Sequence, residues 1–266
     1  QSGDGMQISI RNFAFPNYEE VAIVPICDLH IGSEAFDVEL LKKPFQYVKE
    51  HENAFIVLLG DILNNTIIDS VGNVYEERIN PQEQLDYAIQ LFSDFKGKIL
   101  ACVSGNHEHR TQKKAGIDLS YALATALNIP LYDRNIAILD VCVGNRARSS
   151  LKRRNYEIVI YHGTGGGRLI GTKVTSATRI TDIIPDADVY LSGHGHFISS
   201  VKDKVILIDR HNKTLLERER WIITAPAYVE REEYALRNLA RLSSPGMVIV
   251  KLRGNRTKNE IIVEQA

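Results

Sequence analysis

The sequence predicts an α/β fold made of two stacked, mainly mixed β-sheets flanked by helices. Three observations carry that expectation. Short runs rich in Val and Ile alternate with stretches whose apolar residues recur at helical spacing. Beyond Ser192 the alternation gives way to strand-like runs separated by turns. No Pro/Gly/Ser-rich linker divides the chain, so residues 6–266 are read as a single domain. Residues 1–5, Gln1-Ser2-Gly3-Asp4-Gly5, precede Met6 and resemble a protease-cleavage remnant, which places them outside the fold.

The expected elements follow in order. Val21–Ile26, Phe55–Leu59, Ile99–Val103, Ile136–Val143, Ile158–Tyr161 and Val189–Leu191 are short and nearly all apolar, the composition of strands buried on both faces. Val38–Glu50, Pro81–Phe95, Ile117–Leu127 and Ser176–Ile184 read as helices. In the second of these, Leu85, Ala88, Ile89 and Phe92 form one stripe, with Asn80 as N-cap and Pro81 at the first helical position. After Ser192, strands are expected at Val201, Val205–Asp209, Leu215, Trp221–Thr224, Val248–Leu252 and Ile261–Val263. The turns between them fall at Lys202-Asp203-Lys204, His211-Asn212-Lys213 and Gly254-Asn255-Arg256. This hairpin-rich half is expected to form the second sheet, stacked on the first. Glu230–Leu242 looks helical and is rich in Arg and Glu.

Composition removes several classes. With 44% hydrophobic and 24% charged residues the chain is globular rather than disordered. No apolar run approaches the ~20 residues of a membrane-spanning helix, and no basic start leads into an apolar leader, so a soluble cytoplasmic protein with no membrane partner is expected. Cys27, Cys102 and Cys142 lie in apolar runs without C-x-x-C spacing; they read as buried thiols in a reducing compartment, not a zinc site. The net charge is −1, but Gly144–Arg179 holds eight basic residues against Glu157 alone. That +7 stretch (Arg146, Arg148, Lys152, Arg153, Arg154, Arg168, Lys173, Arg179) is either a solvated face or a landing zone for a phosphate-bearing substrate.

In open α/β sheets ligands collect beyond the carboxyl ends of the strands. Five strand ends here carry side chains able to bind metal: Asp28-Leu29-His30, Gly60-Asp61, Gly105-Asn106-His107-Glu108, His162-Gly163 and Gly193-His194-Gly195-His196. Two carboxylates, four imidazoles and a carboxamide, without thiolate, suit Mn²⁺, Fe, Zn²⁺ or Ni²⁺ better than Ca²⁺. Seven such groups exceed the needs of one tetrahedral ion. They would serve two ions about 3.5–4 Å apart that share a carboxylate.

This ordered set resembles the calcineurin-like metallophosphoesterases, from about residue 21 to 198. The resemblance implies a four-layer sandwich and a hydrolase in which a metal-bound hydroxide attacks phosphorus in line. It implies that Asp28, His30, Asp61 and His196 hold one ion, with manganese expected, and that Asp61, Asn106, His162 and His194 hold the second, Asp61 bridging. His107 is similar to the family's non-ligand histidine, which contacts the phosphate and protonates the leaving oxygen. Glu108 would sit beside that histidine and orient its ring. Where many members carry Asp or Asn three residues after the bridging Asp, this sequence has Asn64, followed by Asn65; Asn64 is a candidate substrate contact.

Other polar residues read more plainly. His51 and His211 sit in charged or turn segments and are expected to be solvated; His109 and Arg110 directly follow the Asn106-His107 loop, and ordinary surface placement is favoured over reach to the substrate. Gly163-Thr164-Gly165-Gly166-Gly167 does not fit a P-loop, since Gly171 is followed by Thr172-Lys173. It reads as a flexible loop next to His162 that lets Arg168 and Lys173, with Arg179 as a further candidate, approach a bound phosphate. The compact Asp28-Leu29-His30-Ile31-Gly32-Ser33 segment is more similar to the family's nuclease branch than to its phosphoprotein phosphatases. With the basic stretch, this favours a nuclease or phosphodiesterase acting on DNA, RNA or nucleotides. The alternatives are a phosphomonoesterase or phosphoprotein phosphatase and, in a different class, a metal-binding scaffold without turnover.

Overall fold

The computed structural model describes residues 8–68, 70, 74–144, 154–165, 169–229, 243, 245–254 and 259–266. Among these residues, twelve strands form two six-stranded sheets. The first sheet contains β2 (Glu20–Ile26), β3 (Ala54–Leu58), β4 (Ile99–Val103) and β5 (Leu131–Asp133), all parallel. The antiparallel hairpin of β11 (Val248–Arg253) and β12 (Glu260–Gln265) extends it on the β2 side. The second sheet runs β1 (Ser9–Phe15), β6 (Ile136–Val143), β7 (Arg154–Tyr161), β8 (Val189–Ser192), β10 (Thr214–Thr224) and β9 (Ser199–Asp209). Both sheets mix parallel and antiparallel pairs, as the sequence predicts.

Each inner strand is covered on both faces, which explains its continuous apolar run. On β2, Val21 and Ile23 face the second sheet and meet Leu139, Val141, Ile158 and Leu191 in a shared core. Ala22, Val24 and Ile26 face the other way, against Leu41, Val48, Leu85, Phe92 and Leu123. These outer residues come from α1 (Lys42–Glu50), α2 (Pro81–Phe92), α4 (Leu119–Ala126) and the 3₁₀ turn Val38–Leu41. Across the sandwich, Val159, Tyr161, Tyr190 and Ile222 pack on Ile180 and Ala177, from α6 (Ile180–Ile183) and α5 (Ile170–Thr178). The layers are therefore helix, sheet, sheet, helix. Pro25 sits in a central strand without breaking it, because β11 pairs with β2 only from Glu20 to Ile23. α2 starts as read, with Asn80 capping the amides of Gln82 and Glu83 and Pro81 opening the helix.

Several expectations need correction. The second sheet is not built from the C-terminal half: β6, β7, β8 and the N-terminal β1 belong to it, and the β11–β12 hairpin returns to the first sheet. A strand buried on both faces carries no mark of which sheet it joins. Lys202-Asp203-Lys204 is not a turn. It lies within β9, whose outward lysines pair with Glu219 and Glu217 of β10. The turn at His211-Asn212-Lys213 stands where it was read. The helix expected at Ser176–Ile184 is displaced into α5 and α6, and the sequence reading missed β1, β5 and α3 (Glu108–Ala115). Residues 1–5, Glu230–Leu242 and the Asn255-Arg256 part of the last turn lie outside the described residues.

Candidate metal centre

The carboxyl ends of β2, β3, β4, β7 and β8 point to one end of the sandwich, and the loops that follow them interlock. Backbone bonds tie the first two: Asp28 N donates to Gly60 O at 3.1 Å and Leu29 N to Asp61 O at 2.9 Å. His194 N donates to Asp28 Oδ2 at 2.8 Å, joining the loops of the two sheets. His107 N donates to Asp61 Oδ1 at 2.9 Å. Two of the glycines are needed for contact rather than freedom: a Cβ on Gly105 would lie 2.1 Å from Asp61 Oδ1, and one on Gly193 2.7 Å from Asp28 Oδ2.

The backbone is held in an uncommon state here. Of the eight non-glycine residues with positive φ among the described residues, five are Asp28, His30, Asp61, His194 and His196, at φ between 50° and 62°. L-residues enter this left-handed region seldom, and such conformations collect at functional sites.

The side chains converge in groups. Ligand atoms of Asp28, His30 and His196 lie within 4.8 Å of one another, and so do those of Asp61, His162 and His194. Asp61 links the groups, with Oδ2 3.2 Å from His162 Nε2 and 4.0 Å from His30 Nε2. Asn106 Oδ1 joins the second group, 3.0 Å from His162 Nε2. All seven residues singled out as ligands are thus brought together.

The donor set fits cations. His30 Nε2 faces His196 Nε2 at 3.3 Å, and His194 Nδ1 faces His162 Nε2 at 3.3 Å. A cation placed between the rings of each pair would meet both facing nitrogens at once. Asp28 Oδ1 is buried with no hydrogen-bond donor, an expensive condition for a carboxylate oxygen unless a cation meets it. His162 Nδ1 donates to Leu59 O at 2.8 Å, which leaves Nε2 as the lone-pair nitrogen. Charges agree with this. Burial opposes ionisation of Asp28 and Asp61, yet His196 and His162 hold them below the usual carboxylate range. Burial lowers His162, but Asp61 outweighs it and lifts the ring to about 10. Burial, followed by the neighbouring His107, brings His30 down to about 3.

His107 stands at the rim, its Nε2 3.8 Å from Asp61 Oδ2. Its Nδ1 donates to Asn64 O at 2.6 Å, and Arg110 donates to its Nε2 at 3.0 Å. Arg110 is thus a site residue, the less favoured of the two placements its position in the sequence allows. A basic side chain one turn into a helix that starts beside the loop was the available signal, but α3 itself was not foreseen. Glu108 does not orient the His107 ring. Its carboxylate instead accepts the amides of Asp61, Gly105 and Leu63 at 3.1, 3.0 and 2.8 Å, clamping the loops after β3 and β4. The Asn64 side chain donates to Thr66 and Glu77, so its backbone carbonyl, not its amide, serves the site. Lys173 Nζ donates to Gly195 O at 2.7 Å, between the two loop histidines. Arg168, like Arg146, Arg148, Lys152 and Arg153, lies outside the described residues.

Fold and site together define a four-layer α/β sandwich with three overlapping His/Asp groups, the third made of His30, Asp61 and His107, linked through His30 and Asp61. The sequence matches the calcineurin-like phosphoesterase family over residues 23–198, and the chain belongs to that family. No curated protein matches it. Among solved structures it is similar to GAP50 of Plasmodium, an anchor in the inner membrane complex, at 12% identity over 93% of this chain and 84% of that one, TM-score 0.48. Vacuolar protein sorting 29 from Cryptosporidium parvum has 11% identity over 94% and 99%, TM-score 0.44. The calcineurin-like phosphoesterase YfkN from Bacillus subtilis has 11% over 93% and 90%, TM-score 0.43.

Proposed function

We propose that this protein is a dinuclear metal-dependent phosphodiesterase acting on nucleic acid or nucleotides in a reducing cytoplasm, with manganese as the working metal. The observation that carries the reading is the pair of ligand groups meeting at Asp61. Asp28, His30, Asp61 and His196 would hold one ion, and Asp61, Asn106, His162 and His194 the other. Paired cations, when bound, neutralise phosphoryl charge and make a water nucleophilic at neutral pH. His107 and Arg110 flank the place where a phosphoryl group would rest. Arg110 offers planar N–H donors to non-bridging oxygens. Once Arg110 turns to the phosphate, His107 Nε2 is free to take a proton from solvent and pass it to the leaving oxygen, while Nδ1 stays anchored on Asn64. The basic Gly144–Arg179 stretch supports a polyanionic substrate, and the three free, buried cysteines fit a reducing compartment.

The test is hydrolysis of bis-p-nitrophenyl phosphate with added Mn²⁺, compared with the monoester. Faster release from the diester is expected. A preference for the monoester would move the reading to a phosphomonoesterase or phosphoprotein phosphatase, and a metal-loaded protein that turns over neither would be a scaffold.

A further inference from the structure

We infer that a pocket beside the metal centre receives a second anionic group of the substrate, the phosphate next to the scissile one. The inference rests on the phosphodiesterase reading and narrows it to substrates with successive phosphates. The pocket is formed by the Gly163–Gly165 loop, Lys173 and Ala177 of α5, Ser192–Gly195, Phe197 and Thr224, and it opens to solvent. His194 belongs to both places: it lines the pocket, and its Nδ1 lies 3.3 Å from His162 Nε2 in the cage. A group in the pocket therefore neighbours one at the metals.

The chemistry of the wall selects an anion. Lys173 brings the formal positive charge, and no carboxylate lines the pocket among the described residues. The Lys173 ammonium is held in place by Gly195 O at 2.7 Å and by the Phe197 ring, whose centroid is 5.8 Å away. The exposed Thr164 hydroxyl adds a neutral donor. A nucleobase is a poorer occupant. Phe197, the aromatic residue on the wall, is only 5% exposed and lies against Lys173, so it offers no face for stacking.

The dinucleotide TpT and its 5′-phosphorylated and 3′-phosphorylated forms share one internucleotide bond and differ in the neighbouring phosphate. Cleavage of that bond by the metal-loaded full chain is followed chromatographically for all three. One phosphorylated form is expected to exceed TpT in kcat/KM by about tenfold, through KM. In Lys173→Ala that ratio should fall to within twofold of one, and Lys173→Arg should keep most of it. Equal values for the three substrates in the unaltered protein overturn the pocket while turnover of TpT still upholds the diesterase. A ratio unchanged in Lys173→Ala overturns the inference as well. No cleavage of TpT or of bis-p-nitrophenyl phosphate overturns the diesterase reading, and the inference with it.

Discussion

Asp61 joins the two ligand groups, so its charge is the one both depend on. Asp61→Asn keeps the shape and removes that charge; metal content and turnover should fall together, the latter by about 100-fold or more, read by elemental analysis and rate. His107→Ala should behave differently, keeping the metals and lowering kcat by about 10²–10⁴. Proton linkage gives a further check. In the metal-free protein Asp61 lifts His162 to about 10, so below that pH the ring carries a proton that an incoming cation must displace. Metal uptake near pH 7.5 should release about one proton from this ring, and apparent affinity should rise with pH towards 10. Calorimetry in buffers of different ionisation enthalpy measures the proton count, and a zero count would refute the assignment. The ligand residues were legible because each follows its strand within a few positions. Arg110 and the true role of Glu108 were not, since both depend on the direction in which α3 leaves the loop.

Elements here act as clamps as much as supports. Glu108, in the first turn of α3, takes three backbone amides from two loops, and a neutral amide side chain cannot repeat that. Its NH₂ group would face at least one of those N–H donors. Glu108→Gln should cost about 1–3 kcal/mol, seen as a lowered denaturation midpoint in chemical unfolding with the slope unchanged. The start of α2 was legible because Asn80, Pro81 and Glu83 combine a cap, a pre-set φ and a reciprocal bond at fixed offsets. β5 escaped notice because three residues, Leu131–Asp133, are too few to show any period. The β9–β10 arm was misread because Lys202 and Lys204 resemble turn residues unless their partners on β10 are known.

At the scale of the whole molecule, the sheets are joined by more than apolar contact. Tyr156 of β7 is fully buried, and its hydroxyl donates to Arg253 O at 2.6 Å and accepts from Glu260 N at 2.9 Å, reaching from one sheet to the hairpin of the other. Tyr156→Phe should therefore cost about 1–3 kcal/mol, or several degrees in melting temperature, with the secondary structure unchanged by circular dichroism. Fold class and layering were readable from the strings of Val and Ile. Sheet membership was not, because Ile23 and Ile158 look alike in sequence although they face each other from opposite sheets.

The left-handed backbone at Asp28, His30, Asp61, His194 and His196 has a consequence for assembly. Twisting five bulky residues into that region is unfavourable, and the two sheets that hold the loop ends offset the cost. The loops also carry bonds of the chain's own, Asp28 N to Gly60 O and Leu29 N to Asp61 O among them. Chelation should leave the far-ultraviolet spectrum intact, and reloading should proceed without a refolding phase, unlike a zinc finger that is unstructured until it captures its ion.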